Sequence, residues 1–486
     1  MHKRQTKYPV FFSICFLALT IVYCNKPNIE EKQVNASVVP SNLYHFDLQK
    51  IKERGKIIAL TGNSSTSYFI YKGQPMGYEY ELLELFAKHI DVDLEIVLVD
   101  DMDNVLDNLN EGIGDIVAAN LTVTNERSQI VSFAEHNMFT RQVLIQKLPI
   151  NWQYMKRHEI EEQLVRNPLK LAGKEVYVRK GTSFYTRLKN LSDEIGGKIN
   201  IMPVPGNYDT EQLIEDVANG KIEYTVADEN IALINKTYYP NIDIKTAVSF
   251  PQKIAWAVRK NSPQLRNAIN DWLKKNRKTS DYATVYNKYF KSSKAQKKRA
   301  SSMFSSNSGG KISEYDELIQ RNSKILDWDW RLLASQVYQE SLFDPQAESW
   351  VGAYGLMQVL PETAENFGIY NIHIPENNMK AGTLYLVRLE EYWNDKIPGE
   401  EERIKFVLAS YNVGLGHVID ARRLTEKFGK DIDKWDDNVA EYLLLKSKPK
   451  YYTDEVVRHG YCRGQEPYNY VKKILSRYEH YKNVIS

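Results

Sequence analysis

Cysteine is scarce: Cys15, Cys24 and Cys462 are all that 486 residues contain, and they stand at two extremes of the chain. They supply no paired metal-ligand spacing and no disulfide framework, so structural zinc is excluded and no metal or organic cofactor is implied. A charge of one sign is missing too, with 64 Lys and Arg against 62 Asp and Glu. No overall basic field therefore invites nucleic acid. The apolar run from Pro9 to Tyr23 is too short to span a bilayer comfortably, which takes about 20 residues at about 1.5 Å rise each. What is present is ordinary: 43% hydrophobic and 26% charged residues, as in globular proteins. The length suits about two to four domains.

Lys3, Arg4 and Lys7 precede that apolar run, and Cys24 ends it, which is the pattern of an export signal over residues 1–24. Ile21, Val22, Tyr23 and Cys24 resemble a bacterial lipobox, with Tyr23 where a small residue is usual. The resemblance implies that Cys24 is lipidated, placing the protein on the periplasmic face of the cell outer membrane. A cleaved soluble signal and an uncleaved anchor are the alternatives. Residues 25–43 read as a polar tether.

Over residues 44–290, strand-like and helical segments alternate: KIIALTG, YEYELLELFAKHI, LEIVLV, MDNVLDNLNEG and DIVAAN, then EVYVRKG, INIMPVPG, DTEQLIEDVANG and IEYTVAD. This order predicts a parallel α/β sheet. LNEGIGDIVAAN and VANGKIEYTVAD echo each other, so two similar lobes are expected, with KIAWAVRK and the helical stretch from Pro263 crossing back to the first. The segment resembles the periplasmic solute-binding proteins of the amino-acid-binding type. In that family the arginine of a T-x-x-R segment clamps a ligand carboxylate, which here implicates Thr122 and Arg127, with Thr124 beside them. A guanidinium offers a bidentate fork that lysine cannot copy. Thr182 in the KGTS turn would receive an anion at a helix N-terminus, and Asp228 matches the partner of a ligand ammonium. An amino acid or a muropeptide is the implied ligand. Taken alone, Arg127 reads as a solvated or structural ion pair, and Asp228 reads equally as a helix cap. Tyr68, Phe69 and Tyr71 could wall the cleft or fill the core.

Residues 291–312 are basic and serine-rich, with no acidic residue from Lys291 to Lys311. Such a composition predicts a flexible linker.

From residue 313 to 486 the chain reads as helices: Tyr315 to Ile325, Trp330 to Ser341, Glu376 to Trp393, Glu401 to Tyr411 and Glu466 to Tyr481. On the second of these, Leu333, Val337 and Glu340 follow at i, i+4 and i+7, placing Glu340 on the apolar stripe near the helix end. A desolvated carboxyl there has a raised pKa and suits a general acid. Periodicity alone also allows a solvent-edge glutamate.

The string ESLFDPQAESWVGAYGLMQVLPETA, then SYNVG and EPYNYV, resembles the soluble-lytic-transglycosylase family, with Ser410 where alanine is usual. That family has a lysozyme-like fold and cleaves peptidoglycan glycan strands. The motifs supply one carboxylate, where ordinary glycosidases use two. The resemblance implies that Glu340 protonates the oxygen between N-acetylmuramic acid and N-acetylglucosamine, then acts as base on the muramyl C6 hydroxyl to close a 1,6-anhydro ring. It further implies that Ser341 orients Glu340 or substrate, Met357 and Gln358 shape the cleft floor, Tyr411 and Asn412 line the site, and Tyr470 hydrogen-bonds near Glu340. Met357 could instead be core, and Asn412 a helix cap. The competing functions are a non-catalytic sensor that grips glycan, and a lysozyme-type muramidase that adds water.

Overall fold

The computed structural model describes residues 46–300, 302–307 and 309–485. The signal segment, Cys24 and the tether lie outside the described residues.

The strands in chain order are β1 (Lys56–Thr61), β2 (Phe69–Tyr71), β3 (Gln74–Met76), β4 (Asp93–Leu98), β5 (Ile116–Val117), β6 (Ser132–Thr140), β7 (Gln142–Lys147), β8 (Glu175–Arg179), β9 (Asn200–Val204), β10 (Tyr224–Asp228), β11 (Ile242–Ala247) and β12 (Gln252–Val258). They form two five-stranded sheets, ordered β4-β1-β5-β12-β6 and β11-β7-β10-β8-β9. The echoed segments occupy equivalent places. Gly112 and Gly220 each end a helix in the left-handed conformation, at φ 88° and 78°, which costs glycine no steric penalty. The chain then enters β5 and β10, the central strand of each sheet.

The expected parallel sheet is only partly realised. β4, β1 and β5 run parallel, as do β10, β8 and β9, but β12 is antiparallel to β5 and β6, and β7 to β10 and β11. The reason lies in the crossings between lobes. Only Arg141 separates β6 from β7, so one extended run serves both sheets without a helical crossover, and β12 returns beside β6.

The carboxyl-terminal part is helical, with the expected helices at Asp316–Leu326, Trp330–Ser341, Pro375–Asn394, Glu400–Val413 and Gln465–Val484. A helix Leu415–Lys427 was not legible, because Gly414 and Gly416 read as breakers. Gly414, at φ 92°, serves instead as the joint between two helices.

Lys291–Lys311 is not a loose connector. Residues Ser293–Ala300 form a helix, with Gln296 and Arg299 buried. Arg299 lies over the Tyr289 ring at 5.4 Å. Farther on, Lys72 N donates to Phe304 O (2.8 Å) and Ser306 N to Ile70 O (2.8 Å). A composition rule weighs apolar side chains; here an open hairpin edge and aromatic faces hold the segment through backbone and cation contacts.

That hairpin, β2–β3, also reaches the helical domain. The Tyr481 hydroxyl donates to Gly73 O (2.8 Å), and Gln74 Nε2 donates to the Tyr338 hydroxyl. A side chain at Gly73 would meet Phe343, Tyr338 and Tyr481 at 2.8 Å, so only glycine fits there. Tyr68 and Phe69 are core residues, not cleft wall, and Tyr68 Oη lies 2.8 Å from His480 Nδ1. Many buried residues of the first lobe share one apolar cluster with the helical domain, a smaller first-lobe cluster around Leu60 and Val117 stands apart, and the second lobe has two clusters of its own.

Candidate active site and binding cleft

Glu340 is the penultimate residue of the helix Trp330–Ser341, which Asp329 caps by accepting from Arg331 N. The helix is fastened to Gln465–Val484: Ser335 Oγ donates to Ile474 O (2.7 Å), and Arg477 lies 4.3 Å from the Tyr338 ring centre. Tyr470, one turn and a half into that second helix and buried, donates its hydroxyl to Glu340 Oε1. Burial raises the Glu340 carboxyl to about 7, against the lowering effect of the Tyr470 hydrogen bond. Leu342 and Phe343 both have left-handed backbones (φ 55° and 63°), so the chain reverses directly behind the carboxylate. Each such non-glycine residue costs about 1 kcal/mol or more, a strain that the surrounding contacts must hold in place.

The other motif residues divide into supports and lining. Ser341 is buried, and its Oγ bonds Val337 O (3.2 Å) and Leu356 O (2.9 Å). It ties the helix end to the GLMQ turn. Met357 is fully buried beside Gly382, where an added Cβ would come within 2.5 Å of its sulfur. The expectation that its side chain lines the cleft is therefore corrected to a core role. Its backbone carries the contacts: Tyr411 Oη donates to Met357 O (2.8 Å), and Met357 N donates to Asn378 Oδ1 (2.9 Å). Gln358 is half-buried at φ 48° and spends its Nε2 on Ala347 O (2.9 Å) and Gly355 O (3.1 Å). Asn412 is no cap, since Gly414 follows the helix end, and it lines the cleft with Glu340.

That cleft, about 460 Å³, is also lined by Gln339, Arg463, Gln465, Glu466, Asn469 and Lys473. These residues were missed. The signal was present, because Glu466, Asn469, Tyr470 and Lys473 follow at i, i+3, i+4 and i+7 and so share a helix face. Glu466 also corrects the expectation that the motifs bring a single carboxylate. It is exposed, however, and burial and Tyr470 alone account for the shift at Glu340.

The two lobes enclose a second cleft of about 120 Å³, lined by Thr122, Arg127, Thr182 and Asp228, the four residues expected there, and by Arg179, Asp209 and Glu211. Arg127 NH1 donates to Thr122 O (3.0 Å), and its NH2 to Gly181 O across the cleft (3.4 Å). Burial and neighbouring Arg179 lower its pKa. Thr182 is the N-cap residue of Ser183–Glu194, but its hydroxyl donates to Arg179 O (2.7 Å). Asp228 makes no capping bond; Oδ2 accepts from Asn120 Nδ2 (3.0 Å), and the buried Oδ1 has no partner. Burial raises its pKa to about 7, opposed by Arg127. Glu211 bridges the lobes by accepting from Ser65 Oγ (2.7 Å), and burial raises it to about 7 as well. An acid in a helix's first turn reads in sequence as a dipole partner, which hid Glu211. The lobes meet closely at Gly206, where a Cβ would lie 2.1 Å from Asp101 Oδ1.

Residues 57–292 match the family model of bacterial extracellular solute-binding proteins, family 3, and residues 317–434 match the transglycosylase SLT domain. The membrane-bound lytic murein transglycosylase F of Desulfosudis oleivorans is 37% identical over 432 residues, 89% of this chain and 91% of that protein. That of Saccharophagus degradans is 32% identical over 442 residues, 91% of this chain and 85% of that one.

Proposed function

Because the chain belongs to the membrane-bound lytic murein transglycosylase F family, and is a peptidoglycan lytic transglycosylase with a solute-binding-type module, we propose that Glu340 serves as its acid and base in turn. Protonated, it gives its proton to the oxygen leaving muramyl C1 as that C1–O bond breaks. The resulting carboxylate then takes the proton of the C6 hydroxyl, whose oxygen bonds to C1 and closes the 1,6-anhydro ring. The nucleophile is already part of the substrate, which gains from proximity and needs no activated water. The observation that carries this reading is a half-buried Glu340 that lines an open cleft and is held by the Tyr470 hydroxyl, its carboxyl raised to about 7 by burial with no second acid among the influences on it. A retaining hydrolase would need a carboxylate about 5 Å away, close enough to couple strongly. Mass spectrometry of digested sacculi tests it: anhydro-muramyl ends are expected, reducing ends would indicate a muramidase, and no cleavage a glycan-gripping sensor.

The binding-type module would hold an amino-acid-like or muropeptide ligand, carboxylate on Arg127 and ammonium on the unpartnered Asp228 oxygen, with Thr182 at the rim. Coupling to catalysis has a direct route in the Gly73 hairpin tip, which packs on Tyr338, two residues before Glu340. Stem peptides added to the wild type and to Arg127→Ala test this. Muropeptide release that ignores the peptide while binding is lost in the variant would reduce the module to a scavenging site. For location, Cys24 would carry the lipid anchor to the outer membrane's periplasmic face. Cys24→Ala should leave the membrane fraction, and sedimentation with membranes at high salt would instead indicate an uncleaved apolar segment.

A further inference from the structure

The cleft that holds Glu340 carries two cations that the reaction does not use. Arg463 and Lys473 line it, are exposed, and pair with no carboxylate among the described residues. The neighbouring Lys472 shows the contrast: about 100° around the same helix, it turns away and pairs with Asp93 of the first lobe at 2.7 Å. Arg463 and Lys473 flank Tyr470 in the chain, one just before the helix Gln465–Val484 and one in its third turn. Neither adjusts the acid, because only burial and the Tyr470 hydroxyl move the Glu340 proton equilibrium. A cation close enough to tune it would lower it.

The disaccharide backbone is uncharged, so hydroxyls and acetamides give two cations nothing to pair with. The charge on the polymer resides in carboxylates carried by the muramyl 3-O-substituent. We propose that Arg463 and Lys473 bind such a carboxylate and make the cleft select for the substituent that bears it. The group has two sources: the stem peptide's own carboxylates, or the lactyl carboxylate exposed when an amidase removes the peptide. The guanidinium would fix orientation through a two-pronged contact, and the ammonium would add a less directional charge. This rests on the transglycosylase reading of Glu340, and anhydro-muropeptide release by wild type checks that reading separately.

The experiment compares wild type, Arg463→Gln, Lys473→Gln and the double variant on soluble peptide-bearing strands and on amidase-stripped strands, following anhydro products. On the strand type whose carboxylate is bound, KM rises about 5- to 30-fold in the double variant, while kcat stays within about threefold. Raising sodium chloride from 50 to 500 mM raises the wild-type KM on that strand and leaves the double variant nearly unmoved. An effect confined to peptide-bearing strands assigns the stem carboxylates, and one confined to stripped strands assigns the lactyl group. Unchanged KM on both strands, in variants whose thermal unfolding matches wild type, overturns the proposal. So does an equal fall in kcat on both with KM unchanged.

Discussion

The two clefts each hold carboxyls raised to about 7 by burial, Glu340 in one and Asp228 and Glu211 in the other, yet they are built for different work. The Glu340 cleft is open, about 460 Å³, and no cation counters the desolvation of its acid. The inter-lobe cleft is about 120 Å³, and Arg127 faces Asp228 across it. A raised pKa with an open approach leaves a proton to be donated. The same desolvation opposite a guanidinium leaves a charge pair that a zwitterion can complete. Burial alone therefore does not distinguish a catalyst from a binding site; the neighbouring charge and the space do.

The largest test of that contrast is Glu340→Gln, which keeps shape and removes the transferable proton. Turnover is expected to fall at least about 100-fold, within the range for a general acid, while binding to insoluble peptidoglycan survives. The folded-state carboxyl is raised above its ordinary value of 4.5, so its contribution to stability is full below that pH and lost as pH rises through about 7. The variant should consequently unfold at a higher temperature than wild type at pH 8, and at nearly the same temperature at pH 4. Near-normal muropeptide release by the folded variant would remove Glu340 from the mechanism.

On the binding side, Arg127→Ala should weaken any carboxylate ligand by about 30-fold, the loss of a charged two-pronged contact. Calorimetric titration with stem peptides reads it, and an unchanged affinity would place the ligand elsewhere.

The junction between the two regions has its own pH dependence. His480, bonded to Tyr68, is lowered from 6.5 to about 4 by burial and then by Arg477. The folded protein keeps it neutral, so the contribution is present above 6.5 and lost as pH falls toward 4. From pH 7 to pH 5 that amounts to about 2 kcal/mol. His480→Gln should flatten this slope in thermal unfolding; an unaltered slope would assign acid sensitivity to other groups.

The smallest expected effect is Tyr470→Phe. Its hydroxyl lowers the Glu340 pKa, so its loss moves the alkaline limb of kcat against pH upward. A limb that stays in place would mean that the Tyr470 bond is absent during turnover.

Much of this was legible beforehand. Trp330–Ser341 was bounded as observed, because a well-defined apolar period meets a clear start and stop. The paired lobes followed from one repeated helix–glycine–strand phrase. Less legible were the residues whose roles depend on a neighbour far along the chain. Met357 and Ser341 carry motif positions, but only packing shows that both support the site from behind. Arg179, Glu211 and Lys473 belong to no motif, and each becomes a cleft residue only where another segment comes opposite it.

The sequence by itself determined five of the carboxyl-terminal helices and the two-lobed α/β order, since these follow from spacing within short stretches of chain, and its motif string, not the apolar period, singled out Glu340. Tertiary structure alone decided that the basic segment lies fast against Tyr289 and the hairpin, that Gly73 touches the helix bearing Glu340, and that Asp228 keeps an unpaired oxygen. Those are matters of which surfaces meet and how much water they exclude. Desolvation and hydrogen-bond satisfaction depend on the full surroundings of a group, most of which come from residues hundreds of positions away.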